Sequence, residues 1–143
     1  MDNRIEEIIR RFEESWSETE SFYRDLLENY EGFSFVEPIL QLIQKMKDSG
    51  DSQNFRIGTS MHTLVISRSV KHGLSNDQKE IRIERINDLQ DGFEYEVVMR
   101  QGGERYREYR VTDLSDERVM KLIKTLKRTL IDKKLQPTAP KLH

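Results

Sequence analysis

The sequence predicts an α+β fold: an antiparallel meander sheet of about five strands, with N-terminal helices and a C-terminal helix packed on one face. Three observations predict it. Apolar residues recur every three or four positions over 3–48, every second position over 54–112, and at helical spacing again over 115–134. The strand-like segments succeed one another directly, with short turn-like stretches between them, which favours hairpins over crossovers. Their alternation leaves one sheet face polar, as in an antiparallel sheet open to solvent on one side.

Residues 3–31 read as helix, because Ile5, Ile8, Ile9, Phe12, Trp16, Phe22, Tyr23, Leu26, Leu27 and Tyr30 keep to one helical stripe. Asn3 with Glu6 fits a capping box, and Ser17 with Glu20 fits it again, so a kink or break is expected near 15–17. A second helix is expected from about 36 to 48. Ser34 is its candidate cap, Pro38 is tolerated in its first turn, and Gly50 ends it. Short turn-like stretches at 48–52, 71–77 and 101–104 punctuate the rest of the chain.

Residues 54–57 read as a short strand. Residues 61–68, MHTLVISR, read as a longer one, apolar on both faces and therefore central. Residues 79–86 alternate with Ile81 and Ile83 inward, and 93–99 with Phe93, Tyr95, Val97 and Met99 inward. Residues 106–112 come after the Gly102-Gly103 turn. A three-residue loop with a glycine bulge is preferred there. It sets Val97 opposite Tyr109, Tyr95 opposite Val111 and Glu96 opposite Arg110, gathering apolar residues on one face and opposing unlike charges on the other. The final helix, 115–134, has Ser115 as its expected cap, acidic residues in its first turn and basic residues in its last turns. A single domain over 1–134 and a flexible tail over 135–143, with Pro137 and Pro140, complete the expectation.

The 143 residues include 35% charged and 35% hydrophobic ones, a polar composition with a thin core. Leu, Ile, Val and Phe still amount to 38 residues, above the roughly 20% below which a core fails. Net charge is −2, but it is segregated. Residues 1–37 hold 11 acids and 4 bases, whereas 118–143 hold 1 acid and 8 bases. Such polarity either offsets within the molecule or presents an interaction surface at each end. There is no cysteine, which excludes disulfides, thiolate metal sites and a thiol nucleophile. No 18-residue apolar run and no apolar leader is present, so a cytoplasmic protein without membrane attachment is expected.

Few residues suggest catalytic chemistry. His62, His72 and His143 stand apart in sequence, without metal-ligand spacing or a phosphate loop. A non-enzymatic protein with no cofactor is the expectation. Arginine and tyrosine interleave in ERYREYR at 104–110, and the preferred register sets Arg100, Tyr106 and Arg110 on the outer sheet face, where Arg82 joins them. Such a set can hold phosphates and stack bases. Glu84, Glu94, Glu96 and Glu108 share that face and oppose its field, and a pI near 6.0 weighs against a nucleic-acid partner.

Seven of the twelve aromatic residues fall between 12 and 35. Phe12, Trp16 and Tyr23 are the candidate residues of a partner or dimer helix, with burial in the core as the competing reading. The favoured function is therefore a small protein-binding domain (an adaptor, a chaperone or an immunity-type protein), with a protein partner or self-association. A nucleic-acid-binding sheet face is the alternative. The helix–sheet–helix order is similar to that of small bacterial immunity proteins and secretion chaperones, a likeness of layout that transfers no residue.

Overall fold

The structure is a computed structural model. It describes residues 3–68, 79–101 and 103–135, without the side chains of 129–135. The expected loop at 71–77 with His72, and the expected tail from 136 with His143, lie outside the described residues.

Helix α1 runs unbroken over Asn3–Asn29 and α2 over Val36–Asp48. A single 3-10 turn, Asp51–Gln53, leads into five strands: β1 Arg56–Ser60, β2 Thr63–Ser67, β3 Lys79–Leu89, β4 Gly92–Gln101 and β5 Glu104–Val111. Helix α3, Glu117–Leu135, closes the order. The sheet is an antiparallel meander in the order β1-β2-β3-β4-β5, as its alternating pattern predicts.

Several local expectations are corrected. The 15–17 segment is not broken into two helices: α1 is continuous through it, with Ser15 Oγ donating to the Phe12 carbonyl (2.6 Å). Ser34 does not cap α2 with its side chain; Phe35 holds the cap position, and the Ser34 carbonyl accepts from Glu37 N–H. Gly50 does end that helix, at φ 83°, with its N–H on the Lys47 carbonyl. Ser115 is not the cap of α3. Both its N–H and its hydroxyl donate to Asp113, while Asp116 Oδ1 accepts the Arg118 N–H. A carboxylate beside the helix's free N–H groups is the better acceptor. Leu135 belongs to α3 rather than to a tail.

The expected strands at 54–57 and 61–68 are in fact a hairpin. Ser60 pairs with Thr63, leaving Met61 and His62 as a two-residue turn. The last hairpin keeps the predicted pairs Val97–Tyr109, Tyr95–Val111 and Glu96–Arg110. Its loop is two residues long, not three, since Gln101 pairs with Glu104. The extra residue is taken up inside β5, where Met99 faces Arg107, Arg100 faces Arg105, and Tyr106 is the unpaired residue of a bulge.

The core lies on one sheet face. Ile57, Leu64, Ile66, Ile81, Ile83, Tyr95, Val97, Met99 and Val111 meet Trp16 and Tyr23 of α1, Ile39 and Ile43 of α2, and Val119, Leu122 and Leu126 of α3. Two bridging ion pairs tie the helical layer: Lys47 to Glu20 at 2.7 Å, and Lys127 to Asp51 at 3.5 Å.

Helix α1 also runs beside β1, an edge strand. Trp16 Nε1 donates to the Phe55 carbonyl (2.7 Å), and the Ile57 N–H donates to Ser15 Oγ (3.1 Å). These bonds occupy backbone groups that would otherwise template another strand. Ser15→Ala should therefore cost about 1–3 kcal/mol, because a buried N–H loses its acceptor. Denaturant melts read the loss, and amide exchange should accelerate first at Ile57. Unchanged exchange there would remove Ser15 from this role.

Candidate functional site

Phe12, Trp16 and Tyr23 are 6%, 1% and 0% exposed, buried within this chain itself. As partner-helix residues they are corrected: their side chains are already covered. Phe22, on the flank of the same helix, and Tyr30, immediately past its C-terminal end, are 38% and 58% exposed. They open a line of rings. Tyr30 meets Phe33 edge-on at 6.3 Å, Phe33 meets His62 edge-on at 5.0 Å, and His62 stacks on Phe22 at 6.4 Å. Sequence spacing places 12, 16 and 23 at the centre of the apolar stripe and 22 and 30 at its margins, and only the second set is left uncovered.

Met61 stands beside this line at the tip of the β1–β2 turn. It is 86% exposed and has φ 58°. A positive φ at the first residue of a two-residue hairpin turn favours glycine. Methionine there combines backbone strain with a fully presented apolar side chain. The turn is fixed from beneath, since Tyr23 Oη donates to the His62 carbonyl at 3.1 Å. Nothing in the residue types of Met61-His62 signals a turn, so this site is missed from sequence. The ring line is flanked on α1 by the exposed acids Glu18, Asp25 and Glu28.

The outer sheet face carries the other candidates. Arg82, Arg100 and Arg110 lie on it, as predicted. Tyr106 does not. Its hydroxyl donates to Gln101 Oε1 at 2.6 Å and the Lys79 ammonium sits 5.4 Å from its ring centre. Lys79 and Gln101 alternate onto the core face with Ile81 and Met99, so the bulge carries Tyr106 away from the arginines. Arg105 takes its place, bonded to Glu108 and 3.7 Å from Glu96. Those carboxylates hold the Arg105 guanidinium above its ordinary pKa, chiefly through the Glu108 hydrogen bond. Arg82 Nε donates to Glu80 at 3.2 Å. Arg100 Nε is buried without a hydrogen-bond partner among the described residues.

The face is not uniformly polar. Val65 and Val98 are 6% and 4% exposed although they point away from the core. A cleft of about 410 Å³ runs between α1 and strands β1–β3, lined by Phe22, Arg56, Gly58, Val65, Arg82 and others.

Among the described residues no group of three or more His, Asp or Glu side chains is arranged to hold a metal ion. No described helix is long and apolar enough to cross a membrane. Comparison with protein-family models, curated proteins and solved structures finds no match to this chain.

Proposed function

We propose that this chain is a non-enzymatic protein-interaction domain that docks its partner on the Tyr30–Phe33–His62–Phe22 ring line, with Met61 as the anchor. The observation that carries the reading is Met61, presented at 86% exposure in a backbone conformation that suits glycine. Strain of this kind concentrates at functional positions. Methionine and aromatic side chains are also the types enriched at protein interfaces. The border of this patch carries both signs, with Glu18, Asp25 and Glu28 exposed on α1 and the Arg85 guanidinium 4.4 Å from the Phe35 ring centre, beside Met61 and His62. Its complement is a polypeptide with an aliphatic or aromatic anchor.

The outer face supports a nucleic-acid partner less well. Glu80, Glu96 and Glu108 already engage its arginines, and Tyr106 lies elsewhere. A nucleic acid needs unopposed cations and open stacking platforms.

A photo-crosslinking side chain at position 61 tests the proposal in extracts of the source cells. One discrete adduct, lost on Phe22→Asp and absent when the crosslinker replaces Glu117, supports it. Equal labelling from both positions, or adducts insensitive to Phe22→Asp, overturns it. The strain gives a separate prediction. Met61→Asn should stabilise the fold by up to about 1 kcal/mol by relieving the left-handed conformation, while weakening partner capture. Loss of stability in that variant would show that the methionine has a packing role.

A further inference from the structure

We infer that β5 is a dimerisation strand: its outer edge pairs antiparallel with β5 of a second copy of this chain, across a two-fold axis at Tyr109, and joins the two sheets into one. This surface is separate from the Met61 anchor and does not rest on the docking proposal.

The two edges of the sheet are treated differently. At β1 the Trp16 indole and the Ser15 hydroxyl occupy the backbone at Phe55 and Ile57. At β5, among the described residues, no hydrogen bond reaches the backbone from the side away from β4. Glu104 to Glu108 and Arg110 are exposed, Tyr109 is half-buried and Val111 is buried. Such an edge presents a row of N–H and C=O groups to a further strand.

The charges on this edge decide the partner. Arg107, Glu108 and Arg110 repel an arbitrary strand, as edge charges ordinarily do. They admit a strand that presents the same signs in reverse order. In a two-fold antiparallel pairing with both core faces on one side, one residue meets its own copy on the axis. Arg107, Glu108 or Arg110 there would set like charges directly opposite, which destabilises a pair. Tyr106 is taken up by the bulge, and Val111 ends the strand. With Tyr109 on the axis, Glu108 faces Arg110 of the second copy, and the same pair recurs across the axis on the outer face. Glu108 accepts from Arg105 at Oε2, and a carboxylate accepts at both oxygens. The two Tyr109 rings meet on the core face, a favourable cross-strand pair. The Arg118 guanidinium 5.4 Å from that ring centre is already bonded to Asp116. Arg107 faces Val111 of the second copy, an apolar side chain for its aliphatic stem. A second copy is the occupant whose charges fit this edge.

Sedimentation of the whole chain over a concentration series tests the inference. A monomer–dimer equilibrium is expected, with the dimer at twice the 17.1 kDa of one chain. Glu108→Arg and Arg110→Glu should each weaken the dimer by at least about tenfold, since each sets like charges opposite one another twice. An equal mixture of the two variants should recover it, because every introduced charge then meets its opposite. Circular dichroism checks that each variant is folded. Where a reversal unfolds the chain, thiol crosslinking decides. The chain has no cysteine, so Tyr109→Cys places one thiol from each copy on the axis and should give a disulfide-linked dimer under mild oxidation, whereas Arg107→Cys, displaced from the axis, should give none. A monomer at every concentration, a dimer that the charge reversals leave intact, a mixture that stays monomeric, or equal crosslinking from 107 and 109 overturns the inference. Phe22→Asp should leave the dimer unchanged, so its failure and that of the Met61 docking reading are told apart.

Discussion

Trp16→Ala is expected to remove about 3–5 kcal/mol of stability, the range for deleting a buried tryptophan side chain. Trp16 is 1% exposed and packs with Tyr23, Ile39 and Ile57 in the main core. It is also a fastener. Its indole N–H occupies the Phe55 carbonyl immediately before β1, next to the bond from the Ile57 N–H to Ser15. Truncation therefore opens a cavity and uncovers the edge of β1 together. Against the roughly 5–15 kcal/mol that holds a domain of this kind folded, the loss approaches unfolding. Trp16→Phe keeps most of the volume and forfeits the hydrogen bond, so it should cost less and separate the two contributions. Urea melts followed by circular dichroism measure both, because the variants lack the only tryptophan fluorophore. The uncovered edge should also raise the aggregation rate on partial unfolding. A Trp16→Ala midpoint within about 1 kcal/mol of the parent would contradict the burial described for α1.

The parts legible in the sequence are those where a local pattern had one physical meaning. The alternation of Ile81, Ile83, Tyr95, Val97 and Met99 fixes the core face, and the opposed charges of Glu96 and Arg110 fix the register of β4 and β5. Gly50 ends α2 because only a residue at ease with positive φ fits there. The β1–β2 hairpin was not legible, since Met61-His62 contains no glycine, asparagine or aspartate to mark a turn. Cap assignments failed where two acceptors compete within two residues, as Asp113 and Asp116 do around Ser115.

The candidate surfaces were half legible for a related reason. Aromatic enrichment over 12–35 was visible, but which rings stay uncovered depends on where the sheet edge meets α1. The arginine face was visible too. The bulge at Tyr106 then exchanged one of its members for Arg105, a local geometry that periodicity does not record.

Stability should fall steeply above about pH 10, through two buried tyrosines. Tyr95 is 1% exposed and its hydroxyl donates to the Phe35 carbonyl at 2.6 Å. Burial pushes its pKa from 10.0 up to about 12, slightly offset by Arg85. Tyr23 is fully buried, its hydroxyl donates to the His62 carbonyl, and burial raises its pKa as well. In both, ionisation removes a donor and sets an oxyanion against a carbonyl oxygen. The sign follows from the folded pKa lying above the unfolded one. Below about pH 10 both states hold the proton and the contribution is intact. Above it the unfolded chain releases protons that the folded chain keeps, so stability drops until the folded pKa is reached. For Tyr95, the rise from 10.0 to about 12 corresponds to a loss on the order of 3 kcal/mol across that pH range. Tyr23 adds to the same window and beyond. The loss together rivals that from truncating Trp16, although no contact is mutated. Urea midpoints taken from pH 8 to 12 measure it, alongside the ultraviolet absorbance of tyrosinate. Tyr95→Phe should lower stability at pH 8, where the hydrogen bond is lost, yet flatten the fall above pH 10. Tyr23→Phe should do the same while releasing the His62 carbonyl beneath the Met61 turn. An alkaline fall of equal slope in the parent and the Tyr23→Phe/Tyr95→Phe double variant would assign it to other groups.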